Sequence, residues 1–579
     1  MHIEDKISEN KKEEAAARFI IRDIIEKKLQ KKDDVDRLKK DISKSFKLNR
    51  MLTNIRILCY ADSKELKAIR NILITKPFRS ISGVTPIAIM TKPINCPHGK
   101  CIYCPGGLKS YFGDVPQSYT GREPAALRAL RADYDPYVQV FNRIEQYIVT
   151  AHNPEKVELI IMGGTFPSFS LEYQNDFITN AFKAMNDFSE LFYKRDGFDF
   201  ERFKEFFELP ADVKNPERTE RIKNKIFDLK NKNKISLEKE QKKNENSKIK
   251  CVALCIETRP DYSLEPHVKQ MLKLGTTRVE IGVQTIYDFI LKKIKRGNSV
   301  EDIVRATQIL KDSFLKVGYH MMLGLPGSNN ELDVQMFKTI FYDQRFRPDA
   351  LKIYPTMVLK GTELYNYWKN GSFKPLSTQS ACELVIKIKE FVPDYCRIMR
   401  IQRDIPTKFT DAGVSITNFR QYVNNRMKTL NKKCRCIRCR EPRGKMIDFE
   451  SIKLKRFDYE ASNSNEIFLS FEDQKNDLLI AFLRLRIPYK PFLKFIDKKT
   501  AGIREVHVYG TAVPIGEKSY LENQLQHRGF GKELVREAER IAKEEFSMKK
   551  ILVISGIGVR EYYRKLGYKK FHYYMMKRL

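Results

Sequence analysis

Cys96, Cys101 and Cys104 fall in the run CPHGKCIYCPGG, where small and turn-forming residues surround three thiols. Three thiolates this close hold three corners of an iron–sulfur cluster, or they ligate zinc in a knuckle. The distinction is one of chemistry. A four-iron cluster with four protein ligands carries electrons, whereas three protein ligands leave one iron open to a substrate or cofactor. The spacing by itself leaves both readings standing.

A glycine pair, Gly163 and Gly164, directly follows the apolar run VELIIM. Glycine at the C-terminal end of a barrel strand lets a ligand approach the backbone, on the face where barrel enzymes place their sites. Three more apolar runs end in polar or glycine residues: at Glu257 to Asp261, at Glu280 to Gln284, and at His320 to Gly327. Packing alone does not call for that convergence.

Cys434, Cys436 and Cys439 lie in the basic run KKCRCIRCREPRGK. Close thiols suit zinc, with a second iron–sulfur cluster or no metal as the alternatives, and a structural zinc site takes four ligands. Cys396, in DYCRIMRIQRDIP, is the expected fourth. Cys251 and Cys255, in KCVALC, and Cys382, in ACELVIKIKEFV, read as buried thiols. Further on, Gln526, Gly529, Phe530, Gly531 and Lys532 lie in a Q-x-x-G-x-G run, after the strand Glu505-Val506-His507-Val508 and before a helical pattern. Successive backbone N–H groups at such a helix start cradle a pyrophosphate. Tyr562 and Tyr563 come later, in SGIGVREYYRKLGY, where aromatic core packing is the plain alternative to a chemical role.

These residues need elements to hold them, and the 579-residue length predicts three to four domains. Residues 1–75 read as a basic helical segment in which Ile21, Ile25 and Leu29 recur every four positions. Lys27, Lys28, Lys31, Lys32, Arg37, Lys39 and Lys40 there suit phosphate contacts or a solvated face. Over 76–395 the runs VELIIMGGTF, KCVALCIET, RVEIGVQT, YHMMLGLPG and ALKIYPT alternate with helical patterns. The expected class is α/β, with a partial or complete (β/α) barrel. A charged stretch at about 195–249 reads as a helical insertion or a disordered loop. A cysteine-rich linker, 396–445, leads to a smaller α/β domain, 446–579, with strands EIFLSFED, LLIAFLRLR and IREVHVYGT, a helix from Gly531 to Glu545 and a final strand KILVISG.

Lysine and arginine number 107 against 73 acidic residues, a net charge of +34 that predicts a polyanionic partner. A lysine-rich or thermophilic surface is the alternative source of that charge. No apolar run approaches the ~20 residues of a membrane span. The N-terminus MHIEDKISENKKEEAAARF lacks a secretory signal's apolar core, so a cytoplasmic, reducing location is expected, where the 11 cysteines are ligands and buried thiols.

Taken together, the triad and the strand ends resemble the radical S-adenosylmethionine (SAM) superfamily. The resemblance implies that Cys96, Cys101 and Cys104 hold a 4Fe-4S cluster whose open iron is chelated by SAM, with Gly163 and Gly164 at its amino group. In that superfamily three residues usually separate the first two cysteines, and here there are four. The C-terminal runs resemble the GCN5-related N-acetyltransferase (GNAT) fold. This implies an acetyl-CoA site at Glu505–Val508, Gln526 and Gly529–Lys532, with Tyr563, beside Tyr562, near the thioester sulfur as a proton donor.

Both modules in one chain are similar to the Elongator catalytic-subunit family in its archaeal single-chain form. The match runs through SGVTPIAIMTKP, CIYCPGG, QSYTGREP, MGGTF, ETRPD, TRVEIGVQT, RPDALKIYPT, RIQRDIP, REVHVYG, QHRGFG and YYRKLGY. The family implies modification of the wobble uridine in a tRNA anticodon loop. A 5′-deoxyadenosyl radical takes hydrogen from the acetyl group of acetyl-CoA, the carbon radical adds to carbon 5 of uridine, and thioester hydrolysis gives carboxymethyluridine. It also implies that Lys156 contacts acetyl-CoA from the radical side, and because such a radical must be shielded from water, the two domains are expected to meet around an enclosed site. A homodimer or further subunits are compatible partners. The alternatives are a protein lysine acetyltransferase with a structural cluster, and a tRNA-binding scaffold without catalysis.

Overall fold

The computed structural model describes residues 3–76, 83–195, 197–211, 215–231, 236–510 and 528–579. It divides into one body of Met1–Ile87, Tyr137–Val157 and Thr179–Lys250, and another of Ala88–Pro136, Glu158–Ile178 and Cys251–Leu579.

In the first body, helices α1 (Ile3–Glu26), α2 (Lys32–Ser45), α3 (Asn54–Tyr60) and α4 (Ser63–Leu73) enclose a core of Ala16, Ile20, Ile21, Ile24, Val35, Ile57, Leu58 and Ile69. The buried stripe of α1 therefore turns through Ile20 and Ile24. Ile25, expected on it, is exposed, and Leu29 lies beyond the helix end. A 3.6-residue period drifts off a strict four-residue repeat within two turns. Lys39 is buried and donates to Asp36 and Asn54, so it is not a phosphate contact. The charged insertion folds into helices Phe200–Phe206, Pro216–Asn231 and Leu237–Asn244. The Phe203 and Phe207 rings lie tilted with centres 4.8 Å apart, and that of Phe192 lies 5.5 Å from Phe203. Those rings supply the apolar surface that the surrounding lysines concealed.

A seven-stranded sheet, most of whose residues belong to the second body, runs in chain order: β1 (Val84–Met90), β2 (Lys156–Met162), β3 (Lys250–Thr258), β4 (Arg278–Gln284), β5 (Lys316–Leu323), β6 (Ala350–Pro355) and β7 (Arg397–Ile401). From β3 onward every neighbouring pair is parallel. Strands β1 and β7 are edges, so the barrel is partial. The five apolar runs of the sequence are β2 to β6. The short β7 escapes a hydrophobicity reading because Arg397 and Arg400 alternate with its apolar residues.

The second sheet has the order β8 (Ile452–Ala461), β9 (Ser464–Asp473), β10 (Leu478–Arg486), β11 (Thr500–Val508), β12 (Lys550–Val553), β14 (Tyr574–Arg578) and β13 (Lys569–Phe571). Lys550–Val553 is thus not the last strand. Helix α5 (Phe530–Arg540) lays Leu534, Val535 and Ala538 on this sheet, and Ile541–Glu545 continue it as a π-helical turn. All 11 cysteines are free thiols, and no described helix is long and apolar enough to cross a membrane.

The second sheet packs on the strand starts of the first. Arg504, fully buried, donates to Asp349 at 2.5 Å, to Glu466 at 2.8 Å and to the Leu315 carbonyl at 2.8 Å. Asp349 immediately precedes β6, and Leu315 precedes β5. Arg486 donates to Asp312 at 2.6 Å and to Glu466 at 2.9 Å. Gly502 and Gly556 permit the approach. A Cβ on Gly502 would stand 2.2 Å from the Phe314 ring, and one on Gly556 would stand 2.0 Å from the Val252 carbonyl oxygen. Burial opposes the charge on Asp349, but Arg504, Lys311 and Arg484 hold its carboxyl well below the usual carboxylate range. Asp349→Ala removes a carboxylate that buried Arg504, Arg484 and Lys311 share, leaving excess positive charge in the interior, and is expected to cost about 3–5 kcal/mol, read as a lowered melting temperature. Asp34→Ala removes the exposed pair with Arg37 and should cost under about 1 kcal/mol. Equal melting temperatures for the two variants would show that the network does not hold the sheets together.

Candidate active site

The three cysteines occupy the loop that leaves β1 at the strand-end face of the half-barrel. Gly99 donates its N–H to the Cys96 carbonyl at 3.0 Å, and Cys104 donates to the Cys101 carbonyl at 3.0 Å, so two tight turns present the thiols. Gly99 has φ +90, which accommodates the extra residue between Cys96 and Cys101 in a left-handed turn. The backbone is pinned by Ile102 N–H to the Ile294 carbonyl at 3.2 Å and by Leu364 N–H to the Ile102 carbonyl at 2.9 Å.

Each thiol has a polar neighbour. Cys96 Sγ lies 3.6 Å from Thr165 Oγ1, Cys101 Sγ lies 3.2 Å from His98 Nε2, and Cys104 Sγ accepts the Ser118 N–H at 3.2 Å. Arg296 is buried and reaches Cys101 Sγ at 3.8 Å and the Gly282 carbonyl at 2.6 Å. A Cβ at Gly282 would stand 2.5 Å from that guanidinium, so glycine in β4 opens its path. Burial pushes the Cys96 and Cys104 thiols up. Arg259 and Arg296 supply the positive charge that a multiply charged thiolate-bound group requires.

Among the described residues, the groups whose ligand atoms all fall within 4.8 Å of one another are Cys434/Cys436/Cys439 and Glu257/Glu280/His320. A single zinc at about 2.3 Å from each sulfur draws thiolates to about 3.8 Å apart. The opening triad is wider than that, which fits the larger iron–sulfur cube. Buried, unpartnered polar atoms on His98, Tyr103, Thr258 and Arg296 line the same cavity and await a polar occupant. Gly164 borders this cavity, and Gly163, at φ +113, holds its carbonyl against Thr91 Oγ1 at 2.8 Å. The donor set thus fits a cluster with SAM beside it.

Across the barrel interior, register sets Glu257 beside Glu280 and His320 beside Lys352. Lys352 donates to Glu257 at 2.6 Å and also pairs with Glu280, while His320 lies 2.8 Å from Glu280. The lysine ammonium already supplies the cation that these carboxylates need. Tyr119 donates to Glu257 at 3.3 Å. Glu257, Glu280 and His320 were visible as polar strand ends. Arg296 was not, since it sits in an ordinary basic run, and only the glycine opposite it gives a signal.

In the C-terminal sheet, β11 pairs with β10 as far as Val508, but its pairing with β12 ends at Ile503 and Val553. The two strands splay, leaving the backbone of Glu505–Val508 facing a groove. Val508, Gly531 and Tyr562 meet there: a Cβ on Gly531 would lie 3.1 Å from the Tyr562 hydroxyl and 3.4 Å from Val508. Gly529, at φ +96, precedes α5, with Phe530 as its first residue and Lys532 in its first turn. Gln526 lies outside the described residues. Side chains alternate along β11. Val506 and Val508 pack toward the core, whereas Glu505 pairs with Lys316 and with Arg484 at 2.9 Å, and His507 stacks on Phe482. Burial pushes the His507 imidazole down to about 4. Glu505 and His507 therefore face the half-barrel, and only their backbone lines the groove. Tyr563 packs in the core against Tyr568, and burial pushes its phenol up. The tyrosine at the glycine turn is Tyr562.

Two other expectations need correction. Cys396 does not join the group of Cys434, Cys436 and Cys439. It is fully buried at the start of β7, and its carbonyl accepts the Ile437 N–H at 3.0 Å, so its backbone rather than its thiol supports the group. Lys156 opens β2 and Gly163 follows it, so the lysine stands at the start of the strand and the glycine pair at its end, as expected from their order in the chain. Among the described residues the C-terminal domain contributes none to the cysteine cavity, whose lining ends in sequence at Ile405, and its sheet packs at the opposite end of the strands.

Family models match along the chain: the ELP3 N-terminal domain over residues 13–81, the Radical SAM superfamily over 92–339, the Radical_SAM C-terminal domain over 348–429 and the Acetyltransferase (GNAT) family over 434–568. Fold and site therefore define a radical SAM half-barrel fused to a GNAT acyltransferase, a class that uses a 4Fe-4S cluster, SAM and acetyl-CoA. The chain is 52% identical over 533 residues to the tRNA uridine(34) acetyltransferase of Methanocaldococcus infernus, covering 91% of each. It is 39% identical over 549 residues to Elongator complex protein 3 of Saccharomyces cerevisiae, covering 93% of this chain and 90% of that one. The solved structure of the archaeal Methanocaldococcus infernus Elp3 with N-terminus deletion (1-46) matches with a TM-score of 0.69 at 47% identity, covering 86% of this chain and 100% of that one. The chain belongs to the family of tRNA uridine(34) acetyltransferases and Elongator complex protein 3.

A Cβ on Gly163 would stand 2.6 Å from Thr91 Oγ1, whereas one on Gly99 would meet nothing within 4 Å. Gly163→Ala should therefore combine left-handed strain of about 1–3 kcal/mol with displacement of the strand end, weakening SAM binding in equilibrium dialysis. Gly99→Ala carries the strain alone. Equal SAM affinity in wild type and Gly163→Ala would show that the glycine pair does not border the SAM site.

Proposed function

We propose that this protein modifies the wobble uridine of tRNA, joining the acetyl unit of acetyl-CoA to carbon 5 so that hydrolysis of the thioester leaves carboxymethyluridine. The observation that supports it most is the three-cysteine loop at a strand-end cavity with buried arginines, in one chain with a splayed acetyltransferase groove. Bound at Cys96, Cys101 and Cys104, a reduced 4Fe-4S cluster with SAM supplies a 5′-deoxyadenosyl radical. The chain's own residues do the rest. Gly163 and Gly164 admit the SAM amino group, Arg296 and Arg259 balance the charge at the thiolates, and the walls of the cavity keep water from the reacting carbon. At the other site, the N–H groups at the start of α5 and Lys532 receive the pyrophosphate, the open edge of β11 receives the pantetheine amides, and the Tyr562 hydroxyl stands where a leaving thiolate is protonated.

The excess of positive charge suits tRNA phosphates, and the uridine must leave its loop stack to enter the cavity. Zinc belongs to Cys434, Cys436 and Cys439, tying the segment after the half-barrel to the second sheet. One observation favours a second reading. The cysteine cavity and the acetyl-CoA groove lie at opposite ends of the strands, as they would in a protein lysine acetyltransferase with a structural cluster.

Reconstituted, reduced protein given tRNA, SAM and acetyl-labelled acetyl-CoA should place label on the wobble uridine, and Cys101→Ala should abolish it. No label with the wild type sinks the proposal, and acetylation of protein that survives Cys101→Ala establishes the second reading. Metal content separates the two cysteine groups. Anaerobically purified Cys101→Ala should lose iron and keep zinc, while Cys436→Ala should lose zinc and keep iron. Loss of iron in both variants would contradict the assignment.

A further inference from the structure

Between Cys104 and Ser118, whose N–H bonds the Cys104 sulfur, the chain makes a two-stranded hairpin, Gly107–Ser110 with Gly113–Val115. Both feet of the hairpin stand at the cysteine site, and its tip carries Tyr111 and Phe112. Tyr111 is 59% exposed, so its ring is accessible to a ligand. It does not hang free. Lys360 Nζ lies 5.5 Å from the Tyr111 ring centre, and a Cβ on Gly361 would stand 2.2 Å from the Tyr111 Cβ, so the glycine seats the ring.

The patch continues. Asp411 accepts the Lys360 N–H at 2.9 Å and donates its own N–H to the Val358 carbonyl at 2.9 Å, which joins this segment to Phe409. Phe409 in turn lies under two cations, Arg122 at 5.7 Å and Lys408 at 5.0 Å. Arg122 adjoins Glu123, and Lys408 lies three residues beyond Ile405; both Glu123 and Ile405 line the cysteine cavity. Aromatic faces beside cations, at the rim of a cavity that takes a base, are what unstacked single-stranded RNA binds.

We propose that Tyr111 and Phe409 form a stacking platform for the nucleotides flanking the target uridine, with Lys360, Arg122 and Lys408 on their phosphates. Four residues of strand separate Tyr111 from the foot of the hairpin, about 13 Å, so a neighbouring base reaches the ring while the uridine enters the cavity. Here the hairpin selects substrates with an unpaired loop on either side of the modified base. The inference rests on the tRNA reading above.

The test uses an anticodon stem-loop RNA with 2-aminopurine placed in turn at each nucleotide flanking the target uridine, titrated with the whole protein. Stacking on Tyr111 should quench the probe at one flanking position. Tyr111→Ala should abolish that quench and weaken binding about ten- to a hundredfold, while Tyr111→Trp restores both. Lys360→Gln should flatten the dependence of affinity on salt. An unchanged melting temperature confirms that the exposed ring carries no fold. If wild type and Tyr111→Ala bind the loop equally, with the same quench, the platform is overturned and the tRNA reading stands. If the wild type binds no RNA, both fall.

Discussion

A buried guanidinium needs acceptors that repay its lost hydration, and the two sheets of this protein are joined through carboxylates that supply them. Arg504 and Arg486 leave the C-terminal sheet and find Asp349 and Asp312 beneath the half-barrel, while Glu466, from their own sheet, satisfies both. Lys311 is buried in the same knot, 3.7 Å from Asp349 and 3.5 Å from Glu466. Such a network adds little net stability over apolar packing, but it admits one geometry, because any slip leaves a charge unpaired in a low dielectric. It directs the acetyltransferase sheet to the strand starts and leaves the strand ends for the cysteines.

That division shapes the chemistry. Strands of about 20–30 Å separate the cysteine loop from the body of the second sheet, and the space between them is the barrel interior. It is lined with charge: Glu257, Glu280, His320 and Lys352 form a ladder across four strands, and Lys316 with Glu505 closes the far end. Each carboxylate there is held ionised by a lysine or arginine against the cost of burial. These pairs tie the strands of the half-barrel to one another across its interior.

Several elements were legible because their signal is local. The apolar run VELIIM, the glycines after it and the glycine turn before the helix at Phe530 depend on residues a few positions apart. The insertion was half legible, since its helical periods survive among lysines, but the phenylalanines that pack it are spread over several elements. Strand β7 was hidden because its arginines serve Tyr509, Glu441 and the cavity, all distant in sequence. The same holds for Tyr562 and Tyr563. Adjacent residues on one short helix point in different directions, and no local rule says which one meets the glycine turn.

The sequence by itself determined the chemistry on offer: three thiols in a turn-rich loop, a glycine pair at a strand end, a glycine turn before a helix and a large positive charge. These follow from residue type and short-range spacing, which survive in one dimension. Only the tertiary structure decided that Cys396 stays out of the thiol group and that the C-terminal sheet covers the strand starts. Those outcomes turn on which buried charges find partners across hundreds of residues, a condition that no stretch of sequence can express.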